Sequence, residues 1–160
     1  MARPNRPSRH GRVREAAAHR HSADPQPEKL AGVLLDSDGI IEILRGRPSV
    51  VKAAIEIDRE GIATYTCAIS WAEIFAGIRP GEEEITEEFF HARGEVLLDS
   101  VSGRRAGSYL ARHGKSHGLQ IADALIAAAA TTSGLLLWTL NRKHYPMADL
   151  KFFEPASSRS

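Results

Sequence analysis

A single cysteine, Cys67, stands among 160 residues. One thiol excludes an internal disulfide, fits a reducing cytoplasm, and leaves the fold to rest on an apolar core. No apolar run approaches the roughly 20 residues that a membrane-spanning helix needs, so no membrane partner is expected. The basic N-terminus is not followed by the apolar stretch of a signal peptide. There is no Gly-rich phosphate loop, no zinc-ligand spacing and no Ser–His–Asp signature, which removes the commonest nucleotide-binding, zinc and nucleophilic-hydrolase readings. His19 and His21 have no second ligand pair to make a metal site with them. No internal repeat is visible.

What remains is an ordinary globular composition, 42% hydrophobic and 26% charged, and a length that suits one domain with a full core. The net charge of +1 hides an asymmetry. Residues 1–30 carry seven Lys/Arg and three Asp/Glu, a net of +4; residues 31–160 carry fourteen and seventeen, a net of −3. Residues 1–29 are rich in Arg, His and Pro and poor in large apolar side chains. They read as a disordered basic tail, because such a segment buries too little surface to offset its ordering entropy. The folded domain is expected over 30–156, with a disordered end at 157–160.

Within that domain, apolar runs alternate with amphipathic stretches, the pattern of an α/β fold with a mostly parallel sheet. Residues 31–36 predict a first strand, 62–68 a second, 96–98 a third, 135–140 a fourth and 150–153 a last short one. Helices are predicted over 39–45, from Pro48 to Gly61, from Ser70 to Pro80, over 82–93 with Ile85 and Phe89 inward, over 102–113, and over 120–133. Gly114–Gly118 reads as a polar loop. The helix over 120–133 is small and apolar nearly all round, as suits close packing on a sheet.

Several polar residues interrupt apolar surroundings. Asp36 and Asp38 follow the first strand, Glu73 lies near a helix start, Asp123 opens the apolar helix, and Thr139 and Asn141 close a strand. Each has a plain structural reading: Asp36 as a helix cap, Ser70 with Glu73 as a capping box, Asp123 as a partner of the helix dipole. Taken together these readings weaken. Strand ends and helix starts of a parallel sheet share one edge, the edge where open α/β sheets bind ligands. Carboxylates gathered there repel one another and resist burial. A hard divalent cation relieves both, and Mg²⁺ takes one or two carboxylates, keeps waters and accepts substrate phosphate as a ligand. Such a site activates water for phosphodiester hydrolysis.

These residues stand in motifs that resemble a known family. Leu34-Leu35-Asp36-Ser37-Asp38, Ser70-Trp71-Ala72-Glu73-Ile74, Ile121-Ala122-Asp123-Ala124-Leu125-Ile126-Ala127-Ala128 and Leu137-Trp138-Thr139-Leu140-Asn141 are similar, in order, to the four motifs of PIN-domain ribonucleases, specifically bacterial toxins of the VapC type. The resemblance covers about residues 33–155. It implies a PIN-like three-layer α/β/α sandwich and a Mg²⁺- or Mn²⁺-dependent endoribonuclease. It also implies a small antitoxin as partner, RNA as substrate and a homodimer. By the same resemblance Asp36, Glu73 and Asp123 are the catalytic and metal-holding acids. Asp38, Thr139, Asn141 and His144 are supporting residues. His144 stands where the family often has a fourth acid, which bears on whether one or two metals bind. Arg45, Arg47, Arg104, Arg105, Arg112 and Lys115 are candidates for the RNA backbone.

Two other readings compete. Leu34-Leu35-Asp36-Ser37-Asp38-Gly39 also resembles the opening motif of haloacid-dehalogenase-type phosphatases, but the later lysine and acidic pair of those enzymes are absent. A PIN-like binding module with a weak or inactive site would bind metal without turnover.

Overall fold

The structure, a computed structural model, describes residues 31–159. The tail over 1–29 lies outside them. The chain opens with β1 (Val33–Leu35), α1 (Ser37–Leu44), α2 (Pro48–Arg59), β2 (Thr64–Cys67), α3 (Ala68–Ala76) and α4 (Glu83–His91). It continues with β3 (Gly94–Val96), α5 (Ser100–His117), α6 (Ile121–Ser133) and β4 (Leu136–Trp138), and two short 3-10 turns follow at Arg142–His144 and Ala156–Ser158. The four strands form one parallel sheet in the order β3-β2-β1-β4. Among the described residues no helix is long and apolar enough to cross a membrane.

β1 is central, which explains its unbroken apolar run: successive side chains enter opposite cores. Leu34 points into one core with Leu137, Tyr109 and the alanines of α6; Val33 and Leu35 enter the other with Ile40, Ile57, Ile74 and Phe90. The molecule is therefore three layers, α5 and α6 on one face and α1, α2 and α4 on the other, as the family resemblance implies. Ala127 to Ala130 are fully buried. Side chains this small let α6 lie close to the sheet. Leu34 has no exposed surface, so Leu34→Ala is expected to cost about 2–5 kcal/mol through the cavity it leaves.

Helix ends follow their local chemistry. Pro48 is the first residue of α2, where its missing N–H costs nothing. Asp99 caps α5 through a reciprocal box with Ser102. Gly118 and Gly134 end α5 and α6 in the left-handed region at φ 63° and 66°, which glycine enters without a Cβ penalty.

The structure corrects several boundaries. α5 runs straight through Gly114 to His117, so the expected polar loop over 114–118 is helix up to its last residue, Gly118. A long packed face on α6 outweighs the propensity cost of one glycine, about 1 kcal/mol. α3 begins at Ala68, not Ser70, and β2 is correspondingly shorter. α4 buries Thr86 and Phe90, while Ile85 is 62% exposed. β3 lies two residues earlier than expected, at Gly94–Val96. The expected last strand reduces to one bridge between Leu137 and Phe152. The 3-10 turn at Ala156–Ser158 gives regular structure to part of the end expected to be disordered.

Candidate active site

The site begins where β1 runs out. The Asp36 N–H donates to the Trp138 carbonyl at 3.0 Å, so the ladder between β1 and β4 carries Asp36 to the carboxyl edge of the sheet. There Asp36 becomes the N-cap of α1, in extended backbone conformation. Its Oδ1 accepts the Ser37 N–H at 2.8 Å. Its Oδ2 accepts two hydroxyls, Thr139 Oγ1 at 2.8 Å and Tyr145 Oη at 2.7 Å. Asp36 is 7% exposed. The capping reading was therefore correct as far as it went, but two of the three donors come from residues more than a hundred positions away.

Asp38 faces a different way. Its Oδ1 accepts the Gly39 N–H at 2.6 Å, and its two oxygens share the Leu140 N–H at 3.2 and 3.3 Å. It ties the start of α1 to the segment leaving β4, and so sets where Thr139 and Asn141 stand. Burial and the neighbouring Asp36 carboxylate push its pKa up. Thr139 Oγ1 also lies 3.3 Å from Asp38 Oδ2 and accepts the Asn141 N–H at 3.1 Å.

Asp123 is the third residue of α6, in its first turn. Burial, then Asp36, push its carboxyl pKa up, and the nearby His144 opposes them. His144 Nε2 lies 3.1 Å from Asn141 Nδ2, which donates when that nitrogen is unprotonated. Glu73 reaches the edge from the second turn of α3, not the first. Ser70 is not a cap at all. It is a fully buried residue inside α3, hydrogen-bonded at 3.1 Å to Ser37 Oγ, which in turn donates to Glu73 Oε2. That chain of hydroxyls fastens α3 to α1 and replaces the capping-box reading.

All seven expected residues thus stand along one edge, but not equally close. Asp38 and Asp123 each feel the charge of Asp36, while Glu73 is linked to Asp36 through Ser37. Among the described residues no three His, Cys, Asp or Glu side chains are drawn close enough to hold a metal ion as they stand. Nor does any ion pair there involve Asp36, Asp38, Glu73 or Asp123. The donor set fits a hard cation: oxygen ligands only, without an ion-pair partner among the described residues, and with two carboxyl pKa values raised by burial and by the Asp36 carboxylate. It fits an ion that takes one or two carboxylates and completes its shell with water and phosphate, rather than one caged by protein.

Tyr145, Ser37 and Ser70 went unread as site residues. The signal of Tyr145 was faint: an aromatic followed by Pro146 in a polar loop reads as core, and Tyr145 is indeed buried. Burial and the Asp36 carboxylate push its phenol pKa far up, so it is a fixed donor.

Comparison with known proteins agrees with this geometry. Ribonuclease VapC10 of Mycobacterium tuberculosis is 32% identical over 116 residues, covering 72% of this chain and 86% of that protein. Ribonuclease VapC19 of the same organism is 31% identical over 115 residues, covering 71% and 92%. Among solved structures, FitAcB from Neisseria gonorrhoeae superposes with a TM-score of 0.60 at 27% identity, covering 77% of this chain and 97% of that one. DNA-bound VapBC from Salmonella typhimurium gives 0.63 at 18% identity over 76% and 96%, a likeness of fold. The PIN domain pattern matches residues 33–150, from the first residue of β1 to the loop beyond Tyr145. The sheet order, the acidic edge and the sequence agree, and the chain belongs to the PIN domain family.

Proposed function

We propose that this protein is a metal-dependent endoribonuclease, the toxin of a toxin–antitoxin pair, working in the cytoplasm over the domain 30–156. The observation that carries the reading is the buried Asp36, held at the sheet edge beside Asp38 and Asp123 with no ion pair to any of them among the described residues. Asp36 and Asp123 hold the ion, Mg²⁺ or Mn²⁺, and Glu73 completes the acidic set. When bound, the ion lowers the pKa of its water and offsets charge on the phosphoryl group. Glu73 Oε2 takes the Ser37 hydroxyl, which leaves Oε1 to orient a water or accept its proton. His144, near Asp123, and Asn141 beside it meet the scissile phosphate.

RNA is drawn in by local basic residues although the domain is acidic overall. Arg45 and Arg47 lie near Glu42, and Arg105 pairs with Asp149. Arg104, Arg112 and Lys115 on α5 have no ion pair among the described residues. They are the freer candidates for phosphate contacts. The antitoxin lays apolar side chains into a groove of about 400 Å³ lined by Ile41, Leu44, Ile74, Ile78 and Ile85, with Glu73 at its edge. An arginine from it pairs with the acids, since its planar fork suits carboxylates. The exposed Leu97, Val101 and Ile121 suit a homodimer contact.

The test is cleavage of a single-stranded RNA in Mg²⁺. Wild type should cut and stop in EDTA; Asp36→Asn and Asp123→Asn should not cut. A protein that binds Mg²⁺ without turning over any RNA would instead be a binding module. Co-purification with the product of the neighbouring small reading frame tests the partner.

A further inference from the structure

Asp36 has about four lone-pair sites on its two oxygens. Its Oδ2 is filled on both sides, by Thr139 Oγ1 at 2.8 Å and Tyr145 Oη at 2.7 Å. The Thr139 hydroxyl has one proton, and the 3.3 Å separation from Asp38 Oδ2 is the poorer alternative, so the proton goes to Asp36. Among the described residues Oδ1 accepts only the Ser37 N–H. One lone pair, on Oδ1, is left free. The Tyr145 ring is 4% exposed, so water cannot readily take the place of its hydroxyl.

We propose that Tyr145 is a positioning residue that sets how Asp36 meets a metal: by filling Oδ2, its hydroxyl confines the carboxylate to one-oxygen coordination and thereby selects a small octahedral ion over Ca²⁺. The inference rests on the metal-dependent reading above and adds its selectivity. Mg²⁺ demands near-ideal octahedral geometry, which a single fixed oxygen serves well. Ca²⁺ accepts six to eight oxygens and readily takes a carboxylate through both. Removing the Tyr145 hydroxyl frees a lone pair on Oδ2 and loosens the carboxylate. Both changes favour the larger ion. Partners of this kind around a metal ligand typically change affinity by about 10–100-fold when lost.

The experiment is titration calorimetry of wild type, Tyr145→Phe and Tyr109→Phe with Mg²⁺ and with Ca²⁺, without RNA. Tyr109 also donates its hydroxyl to an aspartate, but to Asp149, which is paired with Arg105 and lies beside Thr131 in the last turn of α6. Its variant reports the loss of a structural hydroxyl alone. Tyr145→Phe should weaken Mg²⁺ about tenfold and leave Ca²⁺ unchanged or tighter, so that the preference for Mg²⁺ shrinks. Tyr109→Phe should leave both affinities alone. An unchanged Mg²⁺ to Ca²⁺ ratio in Tyr145→Phe, or an equal loss of both ions, would overturn the inference while leaving the metal reading standing. Wild type that binds neither ion would overturn both.

Discussion

Two aspartates in this molecule each accept a hydroxyl from a buried tyrosine, with a threonine close by, and they differ in what neutralises them. Asp149 takes the Tyr109 hydroxyl at 2.9–3.0 Å, Thr131 Oγ1 lies 2.9 Å from that same hydroxyl, and Arg105 stands 3.0 Å away. Asp36 takes Tyr145 and Thr139 at similar distances but has Asp38 and Asp123 as its charged neighbours. One network is complete within the chain and fastens α5 and α6 to the loop at Asp149. The other has no ion-pair partner among the described residues. A tyrosine on an aspartate is thus no mark of function by itself.

The widest gap between the two should appear in turnover. Asp36→Asn is expected to lower RNA cleavage at least about hundredfold, the scale on which losing one electrostatic group in an active site is felt. Asp149→Asn should leave the cleavage rate unchanged. Equal loss in both variants would show that Asp36 acts only through the fold.

Next comes the response to metal. Ion binding to the native state alone should stabilise wild type by about 2.7 kcal/mol at one hundred times the dissociation constant, read as a rise in Tm. Asp149→Asn should respond as wild type does, and Asp123→Asn far less.

Smaller again is the loss of the Tyr109 hydroxyl. Tyr109→Phe removes one hydrogen bond, worth about 1 kcal/mol, while the Arg105–Asp149 pair is half exposed and adds little. Urea denaturation should show a lower midpoint with cleavage intact.

The smallest effect concerns protons. The carboxyls of Asp38 and Asp123 are raised above 3.8 in the fold, so the native protein binds more protons than the unfolded chain above that pH. Stability in EDTA should therefore fall as pH rises from about 4 through the folded values. Asp123→Asn removes one of the repelling charges and should stabilise the metal-free protein at neutral pH by less than about 1 kcal/mol, because solvent screens this partly open group. Thermal melts at pH 4 and pH 7 measure both. A clearly less stable variant in EDTA would mark Asp123 as a helix-start residue.

Much of this was readable from the chain because burial on both faces of β1 leaves an unbroken apolar run, and a charged residue directly after it can only stand at the sheet edge. The same reasoning found Asp123 ahead of a helix made of alanines. What escaped were contacts with no periodicity. Ser37 and Ser70 meet because α1 and α3 pack, not because of their spacing. Tyr145 looks like any buried aromatic until its hydroxyl is placed. Ile85 and Phe89 fit a helical stripe as well as Thr86 and Phe90 do, and only the direction of α4 against Trp71 separates them. Gly114 broke the pattern of α5 but not the helix.

The position of β1 has a consequence for how the protein comes into being. β1 lies between β2 and β4, and β4 begins only at Leu136. The donors that fix Asp36 stand 103 and 109 residues downstream of it. Parallel pairings of that span form late, after the entropy of closing the long loops has been overcome. Synthesis runs in the same direction, so a ribosome stalled before Leu136 carries Asp36 without Thr139, Tyr145 or the fourth strand. Such a fragment lacks the edge on which the acids are assembled. Any activity of this domain is thereby withheld until the chain has been made past Tyr145.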